Sequence, residues 1–372
     1  MKSSPVLERR VLGQGGFGRV QGPSHRAVLE RIQQRGGIDR KKISVHKLFA
    51  RTPDFRAALR LEKVVNGIDP TRVYLRGKVL EKDSKNKTLI LSHEGKSLDS
   101  VSKTNKNRRL LLESFHQLLQ ALILLRRHRF VHLDIKSGNI TMDTRTGLRD
   151  PATAATAVVG LIDFDLLSGD RSFAVSHPQH AYFVWPLEMY YDRKNDRFTL
   201  FDERRRPHPD PDKALRTILR DYLTALAFLE NEDGAVVARM KGLLRGKKTV
   251  GNEEGVVQLY LETLSDPVIR RRELKRDASK VDTFGLGQVA YEWFHDKGNS
   301  LFAGHVKKEE LRDQLENFIQ QMLHPLPSQR YDAEQALEAW LRLLADYDRN
   351  LYHRAQRELQ LPLSPYNVRF PA

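Results

Sequence analysis

The chain has 372 residues, 40% hydrophobic and 30% charged, enough apolar material for two domains or one bilobal one and too much for a disordered chain. It has no cysteine, which excludes disulfides, thiolate catalysis and cysteine-based zinc sites. Lys and Arg number 63 against 47 Asp and Glu, so the net charge of +16 favours polyanionic partners such as nucleic acid, acidic proteins or anionic lipid.

No run is long enough to cross a bilayer, and the opening MKSSPVLERRVLGQGG has no apolar core of the secretory type. An intracellular location, cytoplasmic or nuclear, is therefore expected. The first ninety or so residues look β-rich. RRVLGQGGFGRVQ sets apolar residues around glycines, KKISVHKLF alternates, and RVYLRGKVLEK and KTLILSHEG are further strand candidates. Between them TPDFRAALRLEKVVNGID has helical spacing behind a Thr-Pro-Asp start signal.

From about residue 107 the character changes. RRLLLESFHQLLQALILLRRHRF predicts a long apolar helix, TRTGLRDPATAAT (144–156) a loop of small residues, and VVGLIDFDLL a buried strand. Residues 191–280 start with a charged segment containing RPHPDPD and continue with helical patterns at KALRTILRDYLTALAFLE, AVVARMKGLL and GVVQLYLETL. VDTFGLGQVAYEWF, KKEELRDQLENFIQQML and DAEQALEAWLRLLADYDRNLYHRAQREL predict more helices, and LPLSPYNVRFPA an extended tail. Basic residues gather at KNRR (106–109), RRR (204–206) and RRRELKR (270–276), yet no zinc finger, RNP motif or basic zipper accompanies them. The basic surface suits an acidic protein or nucleic acid, and equally a set of solvated helix faces.

GQGGFGRV (13–20) fits G-x-G-x-x-G-x-V. Gly13, Gly15 and Gly18 allow a turn to approach phosphates and present backbone N–H groups to them, and Phe17 can cap the turn. Its place at the head of a β-rich lobe, outside a βαβ unit, argues against a dinucleotide fold. Lys47 sits on a predicted strand, and its neighbours Val45 and Leu48 favour it over Lys41 and Lys42 as a buried functional lysine. Glu62, on the next helix, is the expected partner that orients Lys47 toward phosphate oxygens.

HLDIKSGN (132–139) is the most specific signal. Asp134 can accept or align a hydroxyl proton, Lys136 can neutralise a moving phosphoryl group, and Asn139 offers a carbonyl to a metal. Asp163, behind the apolar strand, has the chemistry to chelate magnesium bridging nucleotide phosphates.

In this order the motifs resemble the eukaryotic-type serine/threonine protein kinase superfamily, as a divergent member whose large insertions suit a viral or effector-type kinase. The resemblance implies an α+β, bilobal kinase-like fold with a small β-rich N-lobe (1–94), a larger, mainly helical C-lobe (95–345) holding a helical insertion at about 191–280, and a C-terminal extension (346–372). It implies ATP held by Gly13, Gly15, Gly16, Phe17, Gly18, Val20, Lys47 and Glu62, with Leu91 as gatekeeper and Ser92, His93 and Glu94 as the hinge. Asp134 and Lys136 become catalytic, and Asn139 and Asp163 ligands of magnesium, or of manganese in its place. WPLE (185–188), VDTFGLG (281–287) and HPLPSQRYDAEQAL (324–337) are similar to the family's supporting motifs, in which Asp282 braces the catalytic loop and Arg330 pairs with Glu188.

Two departures matter. Leu133 stands where many kinases have an arginine that grips a phosphorylated activation loop, so phosphorylation there is not required. Asp165 replaces the glycine expected after Asp163-Phe164. The expected activity is ATP-dependent transfer to Ser or Thr of protein substrates. The alternatives are a small-molecule phosphotransferase of the aminoglycoside or choline kinase type, in which an aspartate soon after the metal ligand is commoner, and a pseudokinase scaffold.

Overall fold

Short apolar stretches around glycines form the first described strands of the chain. The computed structural model describes residues 10–15, 18–22, 44–92, 94–143, 157–169, 185–192, 195–198, 266–274, 277–295, 297–324 and 327–360. Strands β1 (Arg10–Gly15) and β2 (Gly18–Gly22) pair antiparallel with Gly15 opposite Gly18. Strand β3 (Ser44–Phe49) follows, then helix α1 (Thr52–Ile68). Pro53 stands at the start of α1, where its missing N–H costs nothing, and Asp54 in the first turn pairs with Arg51 at 2.8 Å. Strands β4 (Val79–Asp83) and β5 (Thr88–Ser92) complete a five-stranded sheet in the order β1-β2-β3-β5-β4. Of the expected strand RVYLRGKVLEK, the second half forms β4 and the first half only one bridge, Leu75 with Leu161.

After β6 (Lys96–Ser97), helix α2 (Asn105–Arg127) begins at Thr104, whose side chain accepts from the Asn107 amide. Its residues from Leu111 to Leu125 are almost all buried except for the intermediate Glu113, as expected of a helix apolar on nearly every face. The chain continues through β7 (Phe130–Val131), β8 (Ile140–Asp143), β9 (Val158–Leu161), β10 (Ser168–Gly169), β11 (Tyr191–Asp192) and β12 (Arg197–Phe198). Helices α3 (Pro267–Glu273), α4 (Ala278–Phe294), α5 (Gly298–Leu301), α6 (Lys308–Met322), α7 (Ala333–Tyr347) and α8 (Arg349–Gln360) complete it. Asp332 and Gln335 form a capping box at the start of α7. One continuous helix is expected over 332–359, and the structure breaks it at Asp348, which is extended at φ −155°.

The architecture is mixed α and β and divides into two units. The first comprises Met1–His128, Ser137–Leu167 and Arg349–Ala372, so the expected boundary at residue 94 falls inside it. Its sheet packs α1 through Phe49, Phe55 and Leu89, with the two phenyl rings edge to face at 5.9 Å. In the same unit α2 lies against β9: Ser114 Oγ donates to Ala157 O, and the Val159 amide donates to Gln117 Oε1 at 3.0 Å. The second unit comprises Arg129–Lys136 and Ser168–Asp348. Its helical core centres on Trp340, which packs against Phe318 at 4.8 Å and Phe294 at 5.9 Å. The predicted helices between 211 and 264, the basic run 204–206 and the tail after residue 360 lie outside the described residues. No helix among the described residues is long and apolar enough to cross a membrane.

Candidate active site

In the first unit, the β2–β3 register sets Val20 opposite Lys47, so the strand that Gly18 begins lies directly beside the lysine's strand. Gly13 lies in β1, Gly15 ends it and Gly18 begins β2, which leaves a two-residue connection. Gly16 and Phe17 in that connection, and His93, expected in the hinge, lie outside the described residues.

Lys47 Nζ is 2.7 Å from Asp163 Oδ1 and 2.7 Å from Asp165 Oδ2, with the lysine side chain only 12% exposed. Burial works against its charge, but the two carboxylates outweigh it and raise the Lys47 pKa above the ordinary value. Asp163 has φ 62°, a left-handed conformation that costs a non-glycine residue of order 1–3 kcal/mol and persists only where its surroundings impose it. The Ile162 amide donates to Asn139 O at 2.9 Å, which fixes Asn139 alongside the segment that carries Asp163.

The expected Lys47–Glu62 pair is not formed. Glu62 Oε1 instead lies 2.6 Å from Arg72 Nη2 and accepts from the Val79 amide. Arg72 is buried, and Glu62 supplies the counter-charge that this buried guanidinium requires. Asp165, which stands where the resemblance led one to expect glycine, lies beside Lys47. Its position two residues after Asp163 is the only sequence cue to that role.

The segment expected to serve as the hinge is held by Arg76. Arg76 Nη2 lies 2.8 Å from Glu94 Oε2, and its Nη1 donates to the carbonyls of Glu94 and Val158. Ser92 Oγ bonds the same Glu94 carboxylate. Leu91 pairs with Val45 on one side and Val79 on the other, and it is half-buried. Arg76 is a site-supporting residue that the sequence reading missed, since one arginine among many basic residues carries no pattern.

In the second unit, Lys136 Nζ lies 3.0 Å from Asp134 Oδ2. The segment before them is held by its backbone: Asp282 Oδ2 accepts from the His132 amide at 2.6 Å and its Oδ1 from the Leu133 amide at 2.9 Å. Burial pushes the Asp282 carboxyl up, against the effect of His132 and of these two bonds. Leu133 has φ 65°, and its carbonyl accepts the Trp185 indole N–H at 2.7 Å. Glu188 and Arg330, both fully buried, form the expected pair through two bonds, at 2.6 and 3.2 Å.

Asp163, Asp165 and the Asn139 amide are hard oxygen donors, the set that magnesium uses when it keeps waters and shares phosphate oxygens. Among the described residues no group of three or more His, Cys, Asp or Glu is placed to hold a metal alone. A site with one or two carboxylates, completed by nucleotide phosphates, fits these residues.

No protein-family model matches the chain, and no curated protein matches it.

Proposed function

We propose that the chain is an ATP-dependent protein kinase with a bilobal kinase-like fold, transferring the γ-phosphoryl group to Ser or Thr of protein substrates. The observation that carries the reading is the Lys47–Asp163 ion pair. These two residues, 116 positions apart, are singled out independently by the sequence as phosphate and metal ligands.

In this reading Lys47 holds nucleotide phosphates, and backbone N–H groups of the glycine strands line them. Asp163 and Asn139 would hold magnesium, which would supply charge neutralisation to the phosphates. Asp134 takes the proton of the attacking hydroxyl as its oxygen bonds to the γ-phosphorus and the bond to the ADP oxygen breaks. Lys136, already beside Asp134, balances charge on the transferred group. Asp282 and Trp185 hold the Leu133 backbone without an arginine–phosphate contact, which supports activity without activation-loop phosphorylation.

The Asp163–Asp165 pair favours a second reading, a small-molecule phosphotransferase of the aminoglycoside or choline kinase type. Lys136 and the buried Glu188–Arg330 pair favour the first. The deciding experiment incubates the protein with labelled ATP, magnesium, a generic basic protein and a panel of amino alcohols. Protein labelling that disappears in Asp134→Ala and Asp163→Ala supports a protein kinase. Labelling of small molecules alone rejects it, and absence of any transfer favours a scaffold.

A further inference from the structure

We propose that Asp165, and not Glu62, is the positioning residue for Lys47, so that the site needs no movement of α1 to become competent. The inference rests on the kinase reading above and concerns how that site is regulated.

Three observations carry it. The first is distance: Lys47 Nζ is 2.7 Å from Asp165 Oδ2, while Glu62 is bonded to Arg72 and the Val79 amide. The second is the division between the two aspartates. The Asp163 side chain is 40% exposed and that of Asp165 19%, so Asp163 is the more accessible to a cation from solvent. When Asp163 turns to a cation, Asp165 keeps Lys47 in place, a role that glycine at this position cannot fill.

The third is the anchoring of α1. Asp69, at its C-terminal end, accepts from the Tyr74 and Leu75 amides, both at 2.9 Å. The Leu161 amide donates to Tyr74 O and the Arg76 amide donates to Leu161 O, tying this turn to β9, two residues before Asp163. Arg72, held by Glu62, donates in turn to Leu75 O. Swinging α1 so that Glu62 reaches Lys47 would strip the buried Arg72 of its counter-charge, an arrangement proteins avoid. A lysine anchored from its own metal-binding loop is therefore independent of helix position.

The test is a crystal structure without ligand and one with magnesium and a non-hydrolysable ATP analogue, together with kinetics of three variants. Lys47 Nζ is expected within hydrogen-bonding distance of Asp165 in both crystals, with Glu62 on Arg72. Nζ on Glu62 in either overturns the proposal. Asp165→Asn is expected to lower kcat/KM for ATP about 100-fold, the scale of an ångström-sized misplacement, with Asp165→Glu recovering most of it. Unchanged kinetics in Asp165→Asn, or a loss of the same size in Glu62→Gln, also overturns it. Glu62→Gln should instead show a lower melting temperature, through loss of the Arg72 counter-charge. Wild-type protein that binds no nucleotide defeats the kinase reading itself, and the ligand-free crystal still reads which carboxylate holds Lys47.

Discussion

The indole N–H of Trp185 donates to the carbonyl oxygen of Leu133 at 2.7 Å. Leu133 is buried with φ 65°, and its amide is held by Asp282. Both backbone polar groups of a strained residue next to Asp134 are therefore satisfied by side chains. Trp185→Phe keeps most of the ring and removes the donor. It should cost about 1–3 kcal/mol, the range for leaving a buried acceptor unpaired. We expect a lower denaturation midpoint and a lower kcat for the proposed phosphoryl transfer. A variant with wild-type stability and kcat would show that Asp282 alone fixes this backbone.

Glu188 and Arg330 are both completely buried, and Arg330 also donates to the carbonyls of His324 and Lys280. Glu188→Ala strands a guanidinium in the second unit's interior, and removing one partner of such a pair costs about 3–5 kcal/mol. Urea unfolding should show a midpoint lowered accordingly. Replacing both residues by apolar side chains of similar volume should recover much of the loss, because the desolvation cost of both charges disappears.

The sequence made legible what depends on local pattern. The glycines around residue 15, the apolar run of α2 and the octapeptide from His132 to Asn139 each announce themselves, and the Glu188–Arg330 pair follows from the resemblance. What stayed hidden depends on geometry between distant segments. Glu62 and Asp165 are both carboxylates within reach of a lysine on paper, and only the turn at Arg72 decides that Glu62 is already engaged. The break at Asp348 was hidden for a similar reason: helical periodicity runs through it, while α8 belongs to the first unit and α7 to the second.

Gly160 in β9 lies under the Arg76 side chain that supports Glu94. A Cβ there would lie 2.4 Å from Arg76 Cδ and 2.8 Å from Tyr74 O. The backbone oxygen cannot yield as a flexible chain end would, so Gly160→Ala should displace Arg76 and cost about 1–3 kcal/mol in overpacking. The measurable outcome is a lower melting temperature and, under the proposed kinase activity, a raised KM for ATP, since Arg76 ties Glu94 to Val158 of β9. A change in melting temperature alone would separate Arg76 from nucleotide binding.

Helix α8 is fastened to α2 by Glu358, whose Oε2 lies 3.0 Å from His116 Nε2 and 3.2 Å from Gln117 Nε2. Burial raises the Glu358 pKa, but the bonds from His116 and Gln117 and the charges of His116 and Arg354 outweigh it and hold it below its ordinary value of 4.5. The folded value thus lies below the unfolded one. The stabilisation is complete above about pH 4.5 and is lost as pH falls through the folded value. Glu358→Gln removes this proton uptake while keeping a polar side chain of the same size. Wild type and variant should differ in stability at neutral pH and converge as the solution is acidified below pH 4.5. Chemical denaturation between pH 7 and about pH 3 measures it, and a gap that stays constant across that range would show that Glu358 does not titrate with unfolding.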